Sequence, residues 1–291
     1  VKTVPEIDGK TGICGVMGDP VGHSVSPAMH NAAFRALGMN YVYLPFNVSA
    51  ARLAGAVEGI RALNIAGMNV TIPHKVAVIP LLDEIDPLAQ RIGAVNVIHN
   101  KAGRLIGGNT DAGGFLRLLE GRGIDAQGLQ VAVLGAGGAS RAVCFALASR
   151  GAEITILNRT AAGAARCAAE MAAFTGRAFE ALEMNPANLA RSLAKAELVV
   201  NATSIGMAPD VDKSPVSREL LGRRHTVVDI VYNPIKTRLM RDAEKAGAMS
   251  VGGLDMLAWQ GALSFEIWTG RNAPLDLMRR AAAGALKSYE D

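Results

Sequence analysis

Lys75 and Asp111 are the charged side chains of this chain best placed for proton transfer. In NVTIPHK an apolar run is broken by Pro73, which sends Lys75 into the loop beyond a strand end, where open α/β sheets bind ligands. A lysine there can act as a general acid; its plain alternative is a solvated surface cation. Asp111, in NTDAGGF, stands before a helical stretch. It either caps that helix or pairs with the lysine and orients the ammonium. Ser24 and Ser26 flank a helix start at Pro27, with Ser26 the expected N-cap. Two hydroxyls beside a helix N-terminus make a carboxylate site, and the alternative is that Ser26 only caps and Ser24 only turns.

A second chemistry is written in VAVLGAGGASRAV, residues 131–143, where a buried apolar strand meets a glycine turn that opens a helix. Gly135 permits the tight turn, Gly137 lets the backbone approach a pyrophosphate, and the helix from about Gly138 aims free N–H groups at that anion. Ser140 stands where the third glycine of the dinucleotide fingerprint belongs, and is small enough for close helix–strand packing. At the end of the following strand, EITILNRT, a site for NAD would carry an acid to hold the ribose 2′-hydroxyl. Asn158, Arg159 and Thr160 stand there instead, and a guanidinium suits a 2′-phosphate. The expected cofactor is therefore NADP; the alternative for Arg159 is a solvated loop cation.

These residues need a scaffold of strand ends and helix starts. The first third alternates strands (TGICGVMG, YVYLPFNV, AGMNVTI) with helical stretches (PAMHNAAFRALG, ARLAGAVEGIRALN), a rhythm of crossover units around a mainly parallel sheet. A further helix is expected after Pro80, then a β-hairpin in AVNVIHNKAGRLIGGN turning at Lys101 to Gly103. The helical stretch after Asp111 leads to the nucleotide-binding strand at Gln130, and the domain junction is placed there. Beyond it come a helix at 161–174, strands ELVVNATSIG and TVVDIVYNP, a helix TRLMRDAEKAG and a strand MSVGG. The segment from Leu254 to Lys287 is helical by pattern and is expected to fold back onto the first domain. The fold class expected is α/β in two domains. A substrate domain spans 1–112 and is completed by 254–291; a Rossmann domain spans 113–253.

At 291 residues the chain accommodates two such cores. Aromatic residues make up 4% and the +4 net charge is scattered, which argues against single-strand stacking platforms and against basic patches for nucleic acid or lipid. The partners expected are small anionic molecules, with no nucleic acid and no membrane. The three cysteines, Cys14, Cys144 and Cys167, are far apart and no histidines cluster at ligand spacing, so reduced thiols and no metal are expected. VKTVPEIDGKTG lacks the apolar core of a signal peptide, and the cytoplasm is the expected compartment.

In order and spacing, HSVSP, NVTIPHK, GAVNV, NTD, GAGGASRA, NRT, NATSIGM, VYNP and GLDMLAWQGA resemble the shikimate dehydrogenase family over almost the whole chain. The resemblance implies NADPH-dependent, reversible reduction of 3-dehydroshikimate to shikimate in aromatic amino-acid biosynthesis, by a monomer or homodimer. It implies Lys75 and Asp111 as the catalytic pair, Ser24, Ser26 and Tyr232 as carboxylate ligands, and Thr71, Asn96 and Gln260 as partners for the ring hydroxyls. On the cofactor side it implies Gly135, Ala136, Gly137, Gly138 and Ala139 at the pyrophosphate, and Asn158, Arg159 and Thr160 at the 2′-phosphate, with Arg141 adding charge. Thr203, Gly206, Met207, Ile230, Gly253 and Met256 are implied at the nicotinamide. Ala112 and Val97 depart from the family's usual glycine and threonine without removing a functional side chain. Two other readings stand beside this one: a paralogue acting on quinate or an aminated analogue, or using NAD, and a non-enzymatic NADP sensor. The presence of Ser26 favours shikimate, and the presence of both Lys75 and Asp111 disfavours the sensor.

Overall fold

The computed structural model describes residues 7–287; the first six residues, part of the stretch read for a signal peptide, lie outside them. The chain divides into two compact units, Val1–Gly114 with Ala258–Asp291, and Phe115–Leu257.

The first unit is built on β1 (Gly12–Gly18), α1 (Ser26–Ala36), β2 (Tyr41–Asn47), α2 (Leu53–Ala62) and β3 (Gly67–Val70). It continues through β4 (Glu84–Ile85), α3 (Pro87–Ile92), β5 (Val97–Lys101), β6 (Arg104–Gly108) and the start of α4 (Asp111–Gly121). Its six-stranded sheet has the order β2-β1-β3-β5-β6-β4. β1 runs parallel to β2 and β3, while β5 and β6 form the expected antiparallel hairpin. The hairpin closes on Ala102 and Gly103, whose φ of 53° and 90° suit a two-residue turn that follows strand twist. The helix expected after Pro80 is displaced. Ile79–Leu81 is only a 3₁₀ turn, Glu84–Ile85 pairs with β6, and α3 begins where the Asp86 carboxylate accepts from the Ala89 N–H at 2.7 Å.

Helix α9 (Leu254–Thr269), from Ala258 onward, and α10 (Leu275–Lys287) complete this unit, α10 packing on α1 as expected of a terminal helix with an apolar face. Trp268 of α9 donates its indole N–H to the Ile98 carbonyl at 3.0 Å. Gly67 makes room for that ring, since a Cβ at 67 would overlap it. Beside Trp268, the fully buried His30 stacks on Tyr43 at 4.3 Å with neither ring nitrogen bonded, and burial pushes its imidazole down to about 3.

The second unit contains β7 (Gln130–Leu134), α5 (Gly138–Ser149), β8 (Glu153–Asn158), α6 (Ala161–Thr175), β9 (Phe179–Glu183) and α7 (Pro186–Leu193). β10 (Leu198–Asn201), β11 (Thr226–Asp229), α8 (Arg238–Lys245) and β12 (Met249–Gly252) follow. All its strand pairs are parallel, in the order β12-β11-β10-β7-β8-β9, the doubly wound arrangement of a Rossmann sheet. The switch point falls between β7 and β10, so the loops that follow these two strands open at the ligand-binding end. β9 and α7 are additions to the sequence reading. β9 is a half-exposed edge strand with little apolar alternation, and α7 is a short helix opened by Pro186 after Asn185, which caps it by accepting from the Asn188 N–H at 2.9 Å. Among the described residues no helix is long and apolar enough to cross a membrane, and no group of three or more His, Cys, Asp or Glu side chains is gathered for a metal. The three cysteines are buried and free.

Candidate active site

In the first unit the chain leaves β3 at Val70, and Thr71 to Lys75 form a loop pinned at both ends. The Thr71 N–H donates to the Met17 carbonyl at 2.9 Å, the His74 ring donates to the Val48 carbonyl at 2.5 Å, and the Val95 N–H donates to the Lys75 carbonyl at 2.8 Å. The loop therefore aims Lys75 without help from its own side chain. Lys75 Nζ donates to Asp111 Oδ2 at 2.5 Å, with the two side chains 14% and 6% exposed. Such a pair is largely withdrawn from water and keeps its ammonium in one place.

Asp111 is the first residue of α4, but it does not cap that helix. Asn109 takes that part, its Oδ1 accepting from the Ala112 N–H at 3.2 Å, so both Asp111 oxygens are used elsewhere: Oδ2 by Lys75, Oδ1 by Asn96 Nδ2 at 2.8 Å. Asn96 is buried, and its Nδ2 also lies 2.9 Å from Thr110 Oγ1 and 3.4 Å from Gln260 Oε1. Lys75, Asp111, Asn96 and Gln260 are thus brought into one contact chain, with Thr71 on the loop that carries Lys75. Thr110, Ser264, Asn69 and Tyr43 extend it and were missed from the sequence, although Asn69 and Thr110 belong to motifs already singled out.

Ser24 and Ser26 are neighbours, with a correction to the capping. The Met29 N–H donates to the Val25 carbonyl at 3.2 Å, so Val25 is the N-cap and Ser26 the first helical residue, followed by Pro27. The hydroxyl that receives a backbone N–H is that of Ser24, from Ser26 at 3.3 Å. Tyr232, the third expected carboxylate ligand, is half-buried in the second unit.

The second unit holds the nucleotide residues. Gly135 leaves β7 with φ of 110°, Gly137 is the extended N-cap of α5, and a Cβ at 137 would meet nothing within 4 Å. Ala136, Gly138 and Ala139 are half-buried around this turn, and the buried Ser140 donates its hydroxyl to the Gly135 carbonyl at 2.6 Å. Ser140 therefore ties the turn as well as packing closely. At the end of β8, Thr160 caps α6 by accepting from the Gly163 N–H at 3.3 Å, and Asn158 Nδ2 donates to the Thr160 carbonyl at 3.2 Å. Arg159 between them is exposed and pairs with no carboxylate among the described residues. Arg141 differs from its expected role: it is buried on α5 and paired with Glu170 of α6, so its charge is already used in joining two helices.

The loops after β10 and β11 are organised by Asp229, a residue the sequence reading passed over. Its fully buried carboxylate accepts from Asn201 Nδ2 at 2.9 Å, the Val231 N–H at 3.1 Å and the Thr237 hydroxyl at 2.6 Å. Burial pushes its pKa up to about 6 against the pull of those donors. Asn201 in turn accepts from the Thr203 hydroxyl at 2.7 Å, fixing the strand exit that leads through Gly206, with φ of 91°, to the half-buried Met207. The Ile230 N–H donates to the Asn201 carbonyl at 3.1 Å. A Cβ on Gly253 would overlap the Ile230 carbonyl, and Met256 is buried one turn beyond. The glycine turn with open space at Gly137, the free start of α5 and the unpaired Arg159 fit an NADP molecule in charge and shape.

Family models cover most of the chain. The shikimate dehydrogenase substrate binding domain matches residues 16–98, shikimate / quinate 5-dehydrogenase matches 118–240, and the shikimate 5′-dehydrogenase C-terminal domain matches 253–283. A shikimate dehydrogenase (NADP(+)) of Methanopyrus kandleri is 49% identical over 97% of this chain and 98% of its own. The chain belongs to the shikimate dehydrogenase family. Among solved structures of the family, a shikimate dehydrogenase in complex with NADP+ matches with a TM-score of 0.89 and 40% identity over 96% of this chain and 97% of its own. The Thermus thermophilus enzyme in complex with NADP(H) and shikimate matches with 0.84 and 41% over 94% and 99%.

Proposed function

We propose that this protein is an NADP-dependent shikimate dehydrogenase that reversibly reduces 3-dehydroshikimate to shikimate, within aromatic amino-acid biosynthesis. The observation that carries the reading is the shielded Lys75–Asp111 pair, 2.5 Å apart, in a chain whose other unit has an NADP-type glycine turn. In this reading residues 1–112, completed by 254–291, bind substrate and residues 113–253 bind nucleotide. Ser24, Ser26 and Tyr232 hold the carboxylate, and Thr71, Asn96 and Gln260 address the ring hydroxyls. Gly135 to Ala139 receive the pyrophosphate, Asn158, Arg159 and Thr160 the 2′-phosphate, and Thr203, Gly206, Met207, Ile230, Gly253 and Met256 border the nicotinamide.

When bound, NADPH supplies the hydride to the carbonyl carbon. Lys75 Nζ gives its proton to the carbonyl oxygen as the C=O π bond becomes a C–O single bond, which completes the alcohol. Asp111 keeps the ammonium aimed at that oxygen, and the neutral amine regains a proton from solvent. In the oxidation direction the amine takes the hydroxyl proton.

The enzyme is expected in the cytoplasm as a monomer or homodimer, acting on small molecules alone; sedimentation of the purified chain decides the oligomeric state. Initial rates with shikimate and quinate, each against NADP+ and NAD+ and followed at the nicotinamide absorbance band, test the function. The largest kcat/KM belongs to shikimate with NADP+. A largest value for quinate or NAD+ makes the protein a paralogue of other specificity, and no turnover with any pair makes it a sensor.

A further inference from the structure

Asp111 stands at one end of a buried hydrogen-bond chain that reaches across the first unit. Asn96 Nδ2 donates to Asp111 Oδ1 at 2.8 Å and lies 2.9 Å from Thr110 Oγ1. Thr110 Oγ1 is 3.1 Å from Ser264 Oγ of α9, and Ser264 Oγ is 2.9 Å from Asn69 Nδ2. Asn69 Oδ1 accepts from the Tyr43 hydroxyl at 2.7 Å. Tyr43, Asn69, Asn96, Thr110, Asp111 and Ser264 are all buried, so water is a poor substitute for any of these partners.

Counting hydrogens gives the chain a direction. Only a nitrogen of the Asn96 amide can face a carboxylate, and only its oxygen can accept the Thr110 N–H, 2.7 Å away. The amide is therefore oriented from both sides. Its second hydrogen goes to Thr110 Oγ1. The Ser264 hydroxyl donates to the Gln260 carbonyl at 2.9 Å, so Ser264 Oγ accepts from Asn69 and from the Thr110 hydroxyl, whose oxygen also lies 3.2 Å from Asn96 Oδ1. A hydroxyl missing at 110 leaves one Asn96 hydrogen without its acceptor, and Gln260 Oε1, 3.4 Å from Nδ2, is the nearest alternative. The hydroxyl at 110 is thus a third point, beside the Asp111 carboxylate and the Thr110 N–H, that sets the rotation of the amide.

We propose that Thr110 and Ser264 are positioning residues for the reaction: they fix the rotation of the Asn96 amide and, through it, the Asp111 carboxylate that aims Lys75. The inference rests on Lys75 and Asp111 being the catalytic pair. It makes helix α9 part of the catalytic alignment, through a side chain that meets Thr110 and has no bond to Lys75 or Asp111.

The test compares Thr110→Val, which keeps the shape and removes the hydroxyl, with Thr110→Ser, which restores it, and with Ser264→Ala. Steady-state kinetics with shikimate and NADP+ are measured in H2O and D2O. Thr110→Val is expected to lose roughly tenfold in kcat with the NADP+ KM within about twofold of wild type, and to show a larger solvent isotope effect because proton transfer slows. Thr110→Ser returns kcat to near wild type. Ser264→Ala loses about two- to fivefold, and the Thr110→Val/Ser264→Ala pair is no slower than Thr110→Val alone, since both act through one amide. Native kcat in folded Thr110→Val, or a loss that Thr110→Ser does not restore, overturns the proposal, as does an unchanged isotope effect. If Thr110→Val does not fold, Ser264→Ala decides by the same two readouts. Lys75→Ala, run alongside, separates the inference from its basis. Native kcat there overturns the catalytic reading itself, whereas loss there with native kcat in Thr110→Val overturns the positioning role alone.

Discussion

At the residue scale, Asp111 holds the Lys75 ammonium at 2.5 Å and is itself held by the Asn96 amide at 2.8 Å, so one carboxylate joins the proton donor to the buried polar row. Lys75 and Asp111 were legible as a pair because Pro73 ends a strand and the NTD sequence opens a helix, and their side chains do meet. The Ser26 cap was misread because Val25 adopts the N-cap conformation one residue earlier, a choice of backbone angles that the HSVSP sequence leaves open. Arg141 looked like a cofactor cation until Glu170, on the next helix, proved to hold it. Ser264 had no signal at all, because its value to Thr110 arises only when α9 returns across 154 residues of separation. Arg159 is exposed and pairs with no carboxylate among the described residues, and the proposed function gives it the cofactor preference. Arg159→Ala is expected to raise the NADP+ KM about 10- to 150-fold, as loss of a charge-assisted contact worth about 1.5–3 kcal/mol implies, while the NAD+ KM stays nearly constant. Comparable losses with both cofactors contradict that assignment.

Among elements, strands with buried apolar runs and long helices with an apolar face were readable, whereas β9 and α7 were not: an exposed edge strand needs little hydrophobic pattern, and the 8 residues of α7 make little more than two turns. The return of the C-terminal helices followed from their apolar faces, but its anchor did not: Gly67 of β3 yields its side-chain space to Trp268, and neither residue announces the other in sequence. Gly67→Ala is expected to destabilise the protein by about 1–3 kcal/mol in urea unfolding, through overpacking against the indole and loss of its bond to the Ile98 carbonyl. In a Trp268→Leu background the same substitution is expected to change stability much less. Equal changes in both backgrounds place the strain elsewhere.

For the molecule as a whole, two buried groups, one in each unit, contribute to stability with opposite responses to acid. His30, in the first unit, is held down to about 3 from an ordinary 6.5 by burial, so the unfolded chain binds its proton first. Its contribution is fully present above pH 6.5 and is lost as pH falls toward 3, on the order of a few kcal/mol. Asp229, in the second unit, is raised from 3.8 to about 6 by burial, so the folded state takes up the proton first. Its contribution is fully present below pH 3.8 and is lost as pH rises through 6. Hydrogen exchange at pH 7 and pH 5 is expected to show protection falling in the first unit of the wild-type protein more than in His30→Leu. The acid gain in the second unit is expected to shrink in Asp229→Asn, and variants with wild-type pH dependence refute these sources. The central claim concerns the proton and not the fold, and the kcat of Lys75→Ala with shikimate and NADP+ tests it most directly. The expected result is a fall of roughly 10²–10⁴-fold with NADP+ binding retained, the usual worth of a positioned general acid. A folded Lys75→Ala that keeps near-native kcat and loses only affinity for shikimate contradicts the account, since the lysine is then a ligand and the proton comes from another group.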